Sequence, residues 1–418
     1  MKFKNKQFLQ TAFQKNIATL FSGTIIAQII NVLGALFLAK IYAPEMYGFY
    51  SVFLSFVGIL TIINSLKFEY IVITEKSEKE SINTVNTLVL IILLISILHF
   101  LFFSIFRSYF IEKGIVFSLL IFSTVTALFL SNSKLFESYN TRGSFFKSIA
   151  TARVIMAIGT ILFQFTFFYY SSNGLIYGYL CAVIITFLFY LNSIKKVIHF
   201  PQIDLFRKTL RSHINIFRFA FPSGLINGIA IHIMPILMLS FFSASSSGIY
   251  ALSLKIVSVP LFLISSSVSQ VYFQKASDYN NNSKHKLFDL TKSMVLSNIS
   301  VMVIILIFIN TIGVYLLNLL FDNNWENLSQ YILVLSFFTF SQSSFSPISS
   351  IIVVTNKMHI GLIFNISLVI VNFISIYIGY IYNNLLTTIL IFSIIGGLGY
   401  IILLFYFLSL LKSYKNEN

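Results

Sequence analysis

Apolar residues along this 418-residue chain come in long unbroken runs. They do not alternate as in a half-buried strand, and they do not form the narrow stripe of a surface helix. The stretch TIIAQIINVLGALFLA is typical. A helix that crosses a bilayer needs roughly 20 such residues. The runs predict spanning helices over about 17–39, 47–66, 84–106, 114–133, 148–170 and 173–192 in the first half. The second half repeats the count over about 216–242, 247–273, 293–320, 328–352, 360–382 and 385–411. The fold class is therefore an all-α integral membrane protein of about twelve transmembrane helices.

The polar interruptions organise these runs. The longest, 193–215, places Ile203, Phe206, Leu210, Ile214 and Phe217 at helical spacing opposite Arg207, Lys208 and Arg211. That is the pattern of a basic amphipathic helix lying on a membrane surface. Residues 1–16 carry a shorter version, with Phe8, Leu9, Ala12 and Phe13 on one face. The expected organisation is an N-terminal lobe (1–192), a cytoplasmic linker (193–215) and a C-terminal lobe (216–418). The lobes share a weak internal echo. Phe21-Ser22-Gly23 is followed by Gly48-Phe49-Tyr50, and Pro222-Ser223-Gly224 by Gly248-Ile249-Tyr250. Six helices per lobe is an even number, so a parallel repeat is expected, with substrate in a central cavity between pseudo-repeated lobes.

Composition sharpens this picture. Hydrophobic residues make up 57% of the chain and charged residues 10%. A soluble protein carries about 25% charged residues. The formal net charge of +15 does not point to nucleic acid, because no loop is a basic tract interleaved with aromatics. Alternating the spans from a cytoplasmic N-terminus puts 24 of the 28 Lys and Arg on the inner side. Lys40, Arg107 and Lys113 fall outside, and Lys255 falls inside a span. The positive-inside rule then places both termini in the cytoplasm. The single cysteine, Cys181, sits in an apolar run, and the six His show no metal-ligand spacing.

The first hairpin reads IYAPEMYGFY, and the second helix ends in SLKFEY. Pro44 cannot continue a helix, Glu45 suits the positive end of the next one, and Gly48 suits a tight turn. Together with Gly23, Gln28, Tyr50, Lys67 and Glu69, these motifs resemble the start of the polysaccharide biosynthesis and export family. That family includes Wzx-type O-antigen flippases and belongs to the multidrug/oligosaccharidyl-lipid/polysaccharide (MOP) superfamily. Residues 150–164, ATARVIMAIGTILFQ, are similar to its fifth helix. The resemblance implies a bacterial inner-membrane flippase. It would carry polyprenyl-diphosphate-linked O-antigen, or another surface-polysaccharide repeat unit, outward by alternating access. Expected partners are the lipid-linked oligosaccharide, the bilayer, and downstream polymerase and chain-length machinery. No cofactor and no nucleic acid are implied, and coupling to H+ or Na+ is left open.

Ionisable residues inside spans are costly and default to function. Lys255 is the sharpest candidate for a diphosphate or acidic sugar, with Ser258, Ser265, Ser266 and Ser269 near its face. Arg153 opens a stripe through Ala157, Thr160 and Gln164, while Arg218 and His232 lie on the seventh helix. Gln28, Asn31, Gln164 and Asn372 are candidates for the polar wall of a cavity. Pro44, Glu45, Gly48, Tyr50, Lys67 and Glu69 are expected to be structural. No Asp or Glu lies near the centre of any span. This disfavours the alternative of a MATE-like exporter of cationic drugs. The outer loops are too short for a polysaccharide polymerase or ligase, and no catalytic constellation appears, so the chain is not expected to be an enzyme.

Overall fold

The structure is a computed structural model that describes residues 2–75, 77–112, 114–195, 197–199, 216–321, 325 and 327–416. Among the described residues every regular element is helical. The first half comprises α1 (Lys2–Ile41), α2 (Pro44–Ser65), α3 (Glu69–Thr74), α4 (Glu78–Ile105), α5 (Arg107–Glu112), α6 (Phe117–Arg142), α7 (Phe146–Phe168) and α8 (Gly174–Ile194). The second comprises α9 (Phe221–Phe241), α10 (Ala244–Asn282), α11 (Lys284–Phe308), α12 (Val314–Leu320), α13 (Leu328–Phe345), α14 (Ile351–Val354), α15 (Met358–Ile381) and α16 (Leu385–Asn416). A π-helical turn at Ile216–Ala220 precedes α9, and another at Ile309–Gly313 joins α11 to α12.

Eleven helices among the described residues are long and apolar enough to cross a membrane, and the chain is a multi-pass membrane protein. The tenth run, expected over 328–352, is broken into α13, a 3-10 turn at Ser346–Ile348, and α14. Pro347 is the cause, since it has no N–H to give the Ser343 carbonyl one turn back. That carbonyl instead accepts from Asn298 Nδ2 at 2.9 Å and from Ser265 Oγ at 3.4 Å. α13 is also hydroxyl-rich. Ser336, Thr339, Ser341 and Ser344 each donate to the carbonyl four residues back, which satisfies them without water.

The N-terminal stretch differs from expectation. α1 runs unbroken from Lys2 to Ile41, so no separate surface helix precedes the first span. Residues 200–215, where most of the amphipathic linker was expected, lie outside the described residues.

Contacts divide the chain into two compact units. One is Met1–Tyr42 with Phe49–Gly228, and the other is Ala43–Gly48 with Ile229–Asn418. The division passes through α2 and α9. The first unit packs α7 against α1 and α8, and α6 against α4 and α8. Its core includes Phe68, Val72, Leu88, Phe136 and Tyr190. The second unit centres on α13, which packs against α10, α11 and α16. Phe345 and Phe407 fill one end of it, and Met238, Leu335 and Phe392 the other.

The first turn of α2 belongs to the second unit because it crosses the first turn of α10 there. A Cβ on Gly48 would overlap the Ala244 carbonyl, and one on Gly248 would overlap the Pro44 carbonyl. The contact reads the same from either helix, as an internal repeat predicts. It also revises the reading of Gly48. That residue sits inside α2, one turn past Pro44, and is glycine to let two backbones touch rather than to turn the chain.

Candidate functional site

The chemistry-bearing residues of the first unit gather where α2 ends. After Ser65 the chain turns through Leu66 (φ +48°) and Lys67 (φ +62°), both left-handed. A side chain in that region costs about 1–3 kcal/mol. The turn is held by its neighbours. Phe68 is buried in the core, its N–H donates to the Ser65 carbonyl at 2.8 Å, and the Lys67 N–H donates to Ser65 Oγ at 3.3 Å. The Lys67 stem lies where any side chain at Gly224 would stand. Its ammonium sits 5.8 Å from the centre of the Tyr70 ring.

Helix α6 runs beside this turn. Asn64 Nδ2 donates to Ser131 Oγ at 3.3 Å, and Leu135 and Phe136 share the core with Phe68. This brings Lys134 and Glu137, three residues apart on α6, to the same corner. The two arginines here are already engaged. Arg153 donates to Glu137 Oε1 at 2.6 Å and to Thr24 Oγ1 at 2.5 Å. Arg142 donates to the carbonyls of Val72, Ile73 and Glu75 and so caps α3. Lys67 and Lys134 form no ion pair with any described residue. The Glu69 carboxylate has no hydrogen-bond partner among them, and its Oε2 is shielded from solvent.

Along the polar stripe that follows Arg153, Thr160 is half-buried and donates to the Met156 carbonyl at 2.7 Å. Ala157 and Gln164 are 1% and 2% exposed. Gln164 Nε2 donates to the Leu175 carbonyl at 2.8 Å, and the Gln164 carbonyl accepts from the Tyr42 hydroxyl at 2.6 Å. Burial pushes the Tyr42 hydroxyl up to about 12, so it remains a donor at any physiological pH. These bonds join helices. Gln28 and Asn31, both half-buried on α1, make no hydrogen bond to described residues. Pro44 opens α2 with Glu45 in its first turn, and Tyr50 is buried beside Tyr179.

In the second unit Lys255 is half-buried on α10, within the span Ala244–Ser265. It makes no hydrogen bond or ion pair with any described residue. Of the serines expected near it, Ser265 is turned to the Ser343 carbonyl, and Ser258 is half-buried. Asn372 is fully buried, with Nδ2 donating to the Ala230 and Leu368 carbonyls and Oδ1 without a partner among the described residues. His232 is half-buried on α9. Arg218 is exposed in the π turn that precedes α9 in the first unit.

Sequence reasoning passed over Lys134 and Glu137 as members of this site. Their signal was an opposite-charge pair at i, i+3 in an otherwise apolar helix.

A family model described as polysaccharide biosynthesis protein matches residues 37–330. The chain belongs to that polysaccharide biosynthesis protein family. No curated protein matches the sequence. Among solved structures, the lipid II flippase MurJ in an inward closed conformation matches with a TM-score of 0.74 at 20% identity, covering 93% of this chain and 87% of that one. An inward-facing multidrug resistance MATE family transporter matches with a TM-score of 0.61 at 14% identity, covering 94% and 95%. A MOP superfamily transporter from Pyrococcus furiosus matches with a TM-score of 0.57 at 15% identity, covering 96% of each chain. This member of the polysaccharide biosynthesis family thus has the MOP fold.

Proposed function

We propose that the chain is a flippase of the bacterial inner membrane. It moves polyprenyl-diphosphate-linked O-antigen, or another surface-polysaccharide repeat unit, from the cytoplasmic to the outer leaflet by alternating access. The observation that carries this reading is Lys255, a cation inside a span with no counter-charge among the described residues. Such a group is expensive in a bilayer and persists where a substrate needs it. An ammonium suits phosphate as a point charge. No carboxylate lies near the centre of any span, so the intramembrane charge favours an anionic cargo. Family membership supports a role in polysaccharide assembly. The fold likeness to MATE transporters favours multidrug export as the second reading, but cationic drugs want the opposite charge.

The test uses purified protein in proteoliposomes with a short-chain polyprenyl-diphosphate glycan carrying the native repeat unit. The glycan should become accessible to an impermeant reagent in a protein-dependent way. Lys255→Ala should slow this by about tenfold or more, the worth of one charge-assisted contact. Export of organic cations without glycan exposure would replace this reading with the multidrug one.

A further inference from the structure

Phe49 of α2, Ser118, Leu119 and Phe122 of α6, and Asn173 and Ile176 at the start of α8 enclose a shallow cleft with about 370 Å³ of free space, part of it open to solvent. All of them belong to the first unit. The cleft lies where α2, α6 and α8 begin, at the end of the spans opposite the 65–69 turn. Leu119 and Ile176 form its floor and are 3% and 4% exposed. Phe49 and Phe122 are half-buried in its walls. The Phe122 ring is held in place, because Tyr177 meets it edge-on at 5.1 Å and Phe167 meets Tyr177 in the same way at 6.2 Å.

Asn173 holds the N-cap position of α8, where an asparagine ordinarily turns its side chain onto the helix and satisfies a free N–H. Here it does not. Its amide is exposed and makes no hydrogen bond with any described residue, and neither does the Ser118 hydroxyl. A capping residue that does not cap keeps its donor and its acceptor for something else. Among the described residues no ionisable side chain lines the cleft, so a phosphate or an ammonium group finds no counter-charge there. The apolar floor and the two rings suit an apolar face, and the amide and hydroxyl at the rim suit neutral polar groups. A pyranose ring has both, with a face of C–H bonds and a rim of hydroxyls. A lipid chain has the face without the rim.

We propose that this cleft binds one neutral sugar ring, packed on Phe122 and Phe49 and hydrogen-bonded to Asn173 and Ser118. Alternating the spans from a cytoplasmic N-terminus puts this end outside. The site then holds a sugar of the glycan where the glycan emerges. That assignment rests on the flippase reading, whereas binding of the ring itself does not.

The experiment is saturation-transfer NMR on the full chain in nanodiscs of zwitterionic lipid. The probes are the methyl β-glycosides of glucose, galactose, N-acetylglucosamine and N-acetylgalactosamine. At least one should receive saturation, strongest at the C–H protons of one ring face. Phe122→Ala should weaken binding of that glycoside about tenfold, and Asn173→Ala about threefold to tenfold. Phe122→Tyr keeps the ring and should stay within about threefold of wild type, which separates lost binding from lost folding. Because Asn173 does not cap α8, Asn173→Ala should leave the unfolding midpoint unchanged. Saturation of none of the four glycosides overturns the site, and so does binding that is the same in wild type, Phe122→Ala and Asn173→Ala. Flipping of the native repeat unit with no glycoside binding sinks the site alone. Glycoside binding that these variants weaken, without flipping in the liposome assay, sinks the flippase reading alone.

Discussion

At the corner formed by the 65–69 turn and α6, helices of the first unit meet through long polar side chains. Where the first turns of α2 and α10 meet, in the second unit, backbone touches backbone at Gly48 and Gly248. The first contact has slack. Arg153 holds Glu137 and Thr24 with two separate nitrogens on a long, flexible side chain. The second has none, because a carbonyl oxygen has no rotamer to move away by. Contacts of the first kind can exchange one partner for another as a ligand arrives. Contacts of the second kind can only be closed or lost. The charged corner can thus re-pair as its surroundings change, while the glycine crossing can only separate as a whole.

The largest effect that tests this contrast is at the crossing. Gly248→Ala and Gly48→Ala should each destabilise the protein by roughly 1–3 kcal/mol, the usual cost of overpacking, or by more because the obstacle is backbone. Thermal unfolding in detergent would show it. Gly361→Ala on α15 is the control. There a Cβ meets only the Ile352 side chain at 3.4 Å, and removing a helical glycine gains up to about 1 kcal/mol. The two crossing substitutions should also combine to less than their sum, since the first pushes apart the helices that the second would strain. Equal midpoints for Gly248→Ala and Gly361→Ala would show that the crossing has the slack we deny it.

These two regions were not equally legible in the sequence. Membrane class and most spans follow from run length and composition, which tertiary contacts do not alter. The broken span at 346–348 was missed because Pro347 lies inside an apolar stretch, and its cost is met by Asn298 and Ser265 from other helices. Gly48 and Gly248 were visible as a repeated motif, yet the motif suggested a turn. Close approach of two backbones leaves no local mark beyond the glycine itself. Arg153 looked like an open cation because Glu137 is sixteen residues away on another helix. The left-handed turn at Leu66 and Lys67 was invisible for the opposite reason. Neither residue type favours it, and the burial of Phe68 imposes it.

That imposed turn gives a prediction of middle size and opposite sign. Lys67→Gly removes a side chain from a left-handed residue and should stabilise the fold by about 1 kcal/mol, although glycine's extra freedom in the unfolded chain subtracts from this. A higher unfolding midpoint would show that the backbone strain outweighs what the stem contributes. A lower midpoint would mean that the Lys67 stem along Gly224 contributes more than the backbone costs.

The smallest effect on stability should come from the most conspicuous polar contact, the Arg153–Glu137 ion pair. The two side chains are 37% and 31% exposed, so water already screens them, and such pairs contribute about 1 kcal/mol at most. Glu137→Gln keeps a hydrogen-bond acceptor for Arg153 and removes only the charge. Its unfolding midpoint should fall far less than that of Gly248→Ala. A drop as large as the one at the crossing would make the pair a structural fastening. The charged corner would then be a joint of the same kind as the glycine crossing, built from different atoms.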